Sequence, residues 1–214
     1  MPLLRPGRAI VGEGRAGMRG QRPFLGIPDE ALESHPPGVM TKEEVRAVAL
    51  FKLRLQPDSL VWDVGAGSGS LALEAALVAH RGHVYAVERR AEAVAALRRN
   101  LERFPRPNLT VVEGQAPEAL DGLPDPDAVF VGGSGGHLAD ILGCAARRLR
   151  AGGRIVVDLA TLENLERARE ALACLGLRWQ VTAVQVARSR ELGGLTGLEA
   201  LNPVFIVSAW KEEP

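Results

Sequence analysis

"VWDVGAGSGSLALEAA", residues Val61–Ala76, runs from an apolar stretch through glycines at every second position into an alanine-rich apolar stretch. Leu60–Val64 has the length and composition of a buried strand, and Ser70–His80 those of a helix. Gly65, Gly67 and Gly69 therefore fall on a strand-to-helix turn, where residues lacking Cβ let a backbone approach a small molecule closely. A dinucleotide fingerprint would read G-x-G-x-x-G, with its third glycine at position 70; that position is Ser70. The difference is chemical. A dinucleotide brings a pyrophosphate for the helix N-terminus to hold, whereas a ligand without phosphate mainly needs close backbone approach.

Strand-like and helical periods alternate on either side of this turn. Thr41-Lys42-Glu43-Glu44 has the T-x-x-E spacing of a capping box, which predicts a helix running to about Leu55. His83–Glu88 reads as a second strand, and Ala91–Phe104 places Val94, Leu97, Leu101 and Phe104 on one helical face. Leu109–Val112 and Asp127–Val131 follow as strands, Leu138–Leu149 as a helix, Arg154–Asp158 as a fifth strand and Thr161–Leu175 as a helix closed by Gly176. Two β-like runs end the chain, Arg178–Ala187 and Pro203–Trp210, joined by the glycine-punctuated "RSRELGGLTGLEALN". The pattern predicts an α/β, Rossmann-like domain over residues 23–214, with a seven-stranded, mostly parallel sheet and an antiparallel C-terminal edge hairpin. Five βα units and a closing hairpin are the layout of class I methyltransferases. Residues 1–22, rich in glycine and arginine, are expected to form a mobile arm.

Composition narrows the function classes. Lys+Arg and Asp+Glu number 26 each, so global charge argues for neither a nucleic-acid nor a membrane partner. Cys144 and Cys174 are far apart and form no C-x-x-C, which points to a reducing cytoplasm and to no metal site. No apolar run approaches the roughly 18 residues of a membrane span, and the N-terminus lacks a signal peptide's apolar centre.

Glu88 stands 23 residues after Gly65, at the end of the second strand. An acid there can accept two hydrogen bonds from ribose hydroxyls. Glu113-Gly114-Gln115-Ala116 follows the third strand, where a class I enzyme encloses adenine, with backbone around Ala116 as the expected contact. Together with the phosphate-free glycine turn, these residues point to S-adenosylmethionine. The fourth strand, whose C-terminal end would face the transferable methyl group, leads into Gly132-Gly133-Ser134-Gly135. That segment has neither the proline nor the aromatic clamp of amino-group methyltransferases and suits a bulky flat acceptor or an activated carbon.

"GIPDEAL", "MTKEEVRAVALFKLRL", "VWDVGAGSGSLALEAA", "PDPDAVFVGGSGG" and "RSRELGGLTGLEALNPVFIVS" together resemble the CbiT family over about residues 24–210. These are the cobalt-precorrin-6B carbon-15 methyltransferases of the cobalamin pathway, which also decarboxylate an acetate arm. The resemblance implies cofactor contacts at Thr41, at Gly65, Ala66, Gly67, Ser68 and Gly69, at Glu88 and at Ala116. It also implies a homotetramer. A meso carbon of the partly conjugated substrate is already nucleophilic, so methyl transfer would rest on positioning, and the ring would accept the electrons released by decarboxylation. Gly133, Gly135, Ser134 and Asp127 are expected to shape the acceptor pocket, and Arg188 and Arg190 to pair with the substrate's carboxylates. His137, or else His35, is the expected proton relay. The rival readings are a class I methyltransferase acting on RNA or protein, a catalytically silent S-adenosylmethionine-binding sensor, and a nicotinamide oxidoreductase that Ser70 disfavours.

Overall fold

The computed structural model describes residues 25–36 and 40–211; the expected arm over residues 1–22 lies outside them. Among the described residues one α-helix precedes the sheet, α1 (Glu43–Leu53). The chain then alternates β1 (Leu60–Val64), α2 (Ser70–Val78), β2 (His83–Glu88), α3 (Ala91–Arg103) and β3 (Leu109–Glu113). It continues through β4 (Ala128–Val131), α4 (Leu138–Arg148), β5 (Arg154–Leu159), α5 (Leu162–Cys174) and β6 (Arg178–Val184). A two-stranded ribbon, β7 (Ala187–Leu192) with β8 (Leu195–Ala200), precedes β9 (Val204–Trp210). Seven strands share one sheet in the order β3-β2-β1-β4-β5-β9-β6. β1 to β5 pair in parallel, and β9 runs antiparallel between β5 and β6.

Strand alternation sorts side chains into two cores. Val61, Ala86, Phe130, Val156 and Ile206 pack on the side of α1 and α2, together with Leu97 of α3. Trp62, Val64, Val129, Ile155, Val157 and Val207 face the other way, toward α4 and α5. Helices on both faces explain why the parallel strands read as apolar runs without polar alternation. The face of α3 forms as its periodicity requires, with Val94 and Leu97 buried.

Three sequence expectations are corrected. α1 begins at Glu43, its N-cap is Lys42, and no side chain caps it, so Thr41 is not the start of a capping box. The Thr41 carbonyl instead accepts from Arg46 Nη1 at 2.8 Å. The helix also stops at Leu53, two residues early, because Arg54 takes the left-handed conformation. The run beginning at Arg178 leaves the main sheet after Val184. Its continuation pairs with the supposed connection, because Gly193 and Gly194 both hold positive φ, as a two-residue hairpin turn demands.

Candidate active site

The order of the parallel strands reverses between β1 and β4: the chain builds outward through β2 and β3, then returns to the other side of β1. In an open α/β sheet, ligands bind outside the carboxyl ends of the strands at such a reversal. A cleft of about 660 Å³ opens there, bounded by the ends of β1 to β5, by Met40–Lys42 ahead of α1, and by Asn202 and Val204 at the start of β9.

The turn after β1 forms one wall. Gly65 has φ +70°, and a Cβ on it would stand 2.2 Å from the Gly133 carbonyl oxygen, so glycine there lets the β1 and β4 turns touch. Asn100 on α3 fixes the turn from behind by donating to the Ser68 carbonyl at 3.0 Å. Glu88 faces the same turn and is nearly inaccessible. Its Oε2 accepts from Gly67 N–H at 2.9 Å, and its Oε1 accepts from the amides of Arg89 and Arg90. Oε1 also accepts from Arg90 Nε at 3.4 Å, so its lone-pair sites are filled, and Oε2 has used one of its two. One remains for a ribose hydroxyl, where the spacing alone suggested room for two.

The floor of the cleft carries two acids that no glycine pattern announces. Asp63 of β1 is 1% exposed, and neither of its carboxyl oxygens has a hydrogen-bond partner. Asp158 of β5 keeps slight exposure as a residue, but both its oxygens are inaccessible and unpartnered. Asp63 pairs in register with Phe130, and Phe130 with Val156, two residues before Asp158, so the two acids share one face of the sheet. Burial pushes the Asp63 carboxyl up to about 7, and the Glu88 charge adds to the shift, while the Ala72 amide opposes it without forming a hydrogen bond. Burial and the Asp63 charge push Asp158 up to about 8.

Of the residues singled out in the sequence, Thr41, Gly65–Ser68, Glu88, Ala116, Gly133, Ser134 and Gly135 all line the cleft. Gly69 does not; it caps α2 at φ +77°, and a Cβ there would press on Leu97. Asp127 is misplaced by the sequence reading. It precedes β4, at the end of the sheet opposite the cleft, where it accepts from Leu60 N–H at 2.7 Å and pairs with Arg150. A strand's first residue is a strand's length from its catalytic end, so Asp127 shapes no acceptor pocket. His137 caps α4 outside the cleft, with its ring against Gln115 at 3.1 Å. His35 is exposed. Arg188 spends its guanidinium on Glu44, at 2.8 and 2.7 Å, and on Asp29 at 2.9 Å. Arg190 pairs with Glu199 on the exposed ribbon. Among the described residues, the cations that do line the cleft are Lys42, Arg89 and Arg90.

These features fit S-adenosylmethionine. Its ribose needs an acceptor such as Glu88, and its methionyl end needs the close backbone approach that the turn at Gly65–Ser68 offers. The buried, unpartnered Ser68 Oγ is a further polar group awaiting a partner in the same wall. Among the described residues no cluster of three or more His, Cys, Asp or Glu side chains is arranged to hold a metal ion. The profile of the precorrin methyltransferase domain matches residues 34–211. The chain belongs to this family. In sequence it is 46% identical, over 187 residues, to a probable cobalt-precorrin-6B C(15)-methyltransferase (decarboxylating) of Pyrobaculum calidifontis, covering 86% of this chain and 95% of that one. The cobalt-precorrin-6B C(15)-methyltransferase (decarboxylating) of Salmonella typhimurium is 42% identical, covering 81% and 90%. Among solved structures, the precorrin-6y C5,15-methyltransferase of Geobacter metallireducens superposes with a TM-score of 0.85 at 44% identity, covering 89% of this chain and all of that one.

In this precorrin methyltransferase the sequence reading missed Asp63, Asp158 and Arg46. The signal for the two aspartates was present: each interrupts an otherwise apolar buried strand near its carboxyl end. Their titration gives a measurable consequence. An ordinary aspartate stands at 3.8, so between about pH 4 and pH 8 the folded chain holds protons that the unfolded chain releases. The contribution of these two carboxyls to stability is then greatest below that window and falls as pH rises through it, with a slope approaching about 1.4 kcal/mol per pH unit for each proton held. Denaturant unfolding from about pH 5 to about pH 8 measures the slope. Asp63→Asn combined with Asp158→Asn is expected to flatten it; a wild-type stability level across the window would show that these carboxyls do not stay protonated.

Proposed function

We propose that this chain transfers the methyl group of S-adenosylmethionine to carbon 15 of a cobalt-precorrin-6B or related precorrin tetrapyrrole and removes carbon dioxide from an acetate arm, in cobalamin biosynthesis. The observation that carries the reading is a cleft at the strand-order reversal with an acidic cofactor wall and a glycine-floored acceptor side, in a chain matching the precorrin methyltransferase domain almost throughout. When bound, S-adenosylmethionine supplies a methyl group activated by its sulfonium. Glu88 accepts from the ribose, the backbone near Ala116 encloses the adenine, and Thr41 with Gly65–Ser68 holds the methionyl end; Gly69 acts through the shape of the turn.

Gly133, Ser134 and Gly135 lie under the acceptor. Their small size admits a flat macrocycle against the methyl donor, and no acid–base pair is needed because the attacking carbon is already nucleophilic. Catalysis of that step is positioning, to which effective molarity contributes up to ~7–11 kcal/mol. Arg89, held beside Gly135 and hydrogen-bonded to Gln115 at 3.3 Å, and Lys42 in the cleft lining take over the carboxylate-pairing role expected of Arg188 and Arg190.

A homotetramer and a cytoplasmic setting belong to the same proposal. Leu192, Leu195 and Leu198 stand more than half exposed on the β7–β8 ribbon, an apolar surface suited to another copy. A monomer in sedimentation equilibrium would remove that part. Cys144 and Cys174 are both unpaired, as in a reducing compartment. Among the described residues no helix is long and apolar enough to cross a membrane.

The test offers methyl-labelled S-adenosylmethionine with cobalt-precorrin-6B, transfer RNA or a protein extract as acceptor. Label is expected in the macrocycle only. Label in RNA or protein would establish a different acceptor, and no label anywhere, with S-adenosylhomocysteine bound, would establish a silent sensor.

A further inference from the structure

We infer that Asp158 is the acid that returns a proton to the substrate carbon from which carbon dioxide has left, with Asp63 on the same face of the sheet as its companion. The inference rests on the decarboxylating activity proposed above and assigns its missing proton donor.

Placement comes first. The cofactor half of the cleft is built by the ends of β1, β2 and β3. The acceptor is left with the half formed by β4, β5 and the segment entering β9. Among the described residues of β4, β5 and the segments that follow them in that lining, Asp158 is the only ionisable side chain and the only acid; Arg89 reaches Gly135 from the end of β2 and Lys42 lines the cleft ahead of α1, both as cations. His137, the histidine expected to do this work, sits outside the cleft.

Burial comes second. Both oxygens of Asp158 are closed to solvent and without a partner, and so are both oxygens of Asp63. An unpaired carboxylate in such surroundings carries a large desolvation cost, which protonation removes. Of the other charged groups around the cleft, Glu88 is bound to three backbone amides, Arg90 leans on Glu88 at 3.4 Å, and Lys42 and Arg89 line the same cleft. Asp158, held at about 8 by burial and by Asp63, carries its proton at neutral pH, the condition for an efficient general acid.

The chemistry then balances. The bond between the arm's methylene carbon and its carboxylate breaks, carbon dioxide departs, and the electron pair passes into the conjugated macrocycle. That pair returns to form a C–H bond with the proton of Asp158, leaving a methyl arm and an aspartate anion. Solvent restores the proton as product leaves, and nothing is oxidised or reduced.

Asp158→Asn keeps the shape and neutrality of the protonated acid but has no acidic proton to give. Until the carbon is protonated the loss of carbon dioxide can reverse, so with methyl-labelled S-adenosylmethionine and cobalt-precorrin-6B this variant is expected to accumulate labelled macrocycle that retains its carboxyl group. Decarboxylated product should form at least about 100-fold more slowly than with wild type. S-adenosylhomocysteine affinity, measured by calorimetry, is expected to be unchanged, which also shows that the variant is folded. Wild-type decarboxylation should decline as pH rises through about 8. Asp63→Asn, which removes the neighbouring charge, should move that decline to lower pH without abolishing the reaction. Decarboxylation by Asp158→Asn at the wild-type rate would overturn the inference. So would loss of S-adenosylhomocysteine binding, which would make Asp158 a cofactor ligand, and so would loss of both reactions with binding intact, which would make it part of the acceptor seat. Wild-type protein that methylates without releasing carbon dioxide is a distinct failure, because it overturns the decarboxylating reading itself and the inference with it.

Discussion

Glu88→Ala is expected to weaken S-adenosylhomocysteine binding about 100-fold, a cost of roughly 2.7 kcal/mol, and to leave the protein folded. The carboxylate is 4% exposed and does two things at once. It offers a charged acceptor to the ribose, and it ties the β1 turn to the end of β2 through Gly67 N–H. A hydrogen bond to a charged group contributes about 1.5–3 kcal/mol, and loosening of the turn adds to its loss. The fold survives because the three amides released border a cleft that water can enter. Glu88→Gln, which keeps one carbonyl acceptor, should fall between wild type and alanine. Calorimetric titration decides: an affinity within about threefold of wild type for the alanine variant would take Glu88 out of the ribose site.

Arg46→Ala should have the largest effect on stability, a loss of about 3–5 kcal/mol. Arg46 is completely buried. Its guanidinium reaches Asp29 at 2.8 Å, Glu74 at 3.1 Å and the carbonyls of Thr41 and Ile27. Truncation leaves the nearly buried Glu74 carboxylate without its cation and Asp29 with Arg188 alone, and desolvation makes an uncompensated buried charge worse than never having had the pair. It also frees Thr41, so cofactor affinity should fall with stability. For a chain of this size the loss corresponds to a melting temperature lower by roughly 6–20 °C. Scanning calorimetry reads it directly, with Arg190→Ala on the exposed ribbon as the control that should leave the transition in place. A shift for Arg46→Ala as small as the control's would mean that the network holds nothing together.

What the sequence made legible follows from what is local. The glycine turn could be read because positive φ at Gly65, Gly67 and Gly69 is a requirement of a few neighbouring residues. Glu88 could be read because one βαβ unit fixes its distance from that turn. The sheet followed from alternating periods that neighbouring elements alone decide. Where the reading failed, the deciding contact lay far along the chain. Arg188 finds its carboxylates 144 and 159 residues away, so nothing around it in the sequence shows that its fork is already filled. Asp63 and Asp158 belong to strands separated by β4, and only the folded sheet sets them on one face of one cleft. Asp127 was assigned to the wrong end of its strand because four residues of β4 separate a strand's entry from its exit, and only the exit faces the ligand. The capping box failed differently. Thr41-x-x-Glu44 satisfies the pattern, but the Arg46 guanidinium holds the Thr41 carbonyl and the helix starts later.

The central claim is that one cleft both methylates and decarboxylates a precorrin macrocycle. The most direct measurement is the mass spectrum of the macrocycle after incubation with this protein and methyl-labelled S-adenosylmethionine. The expected product has gained one labelled methyl group and lost one carbon dioxide. A macrocycle of unchanged mass, with S-adenosylhomocysteine binding confirmed on the same sample, would contradict the claim.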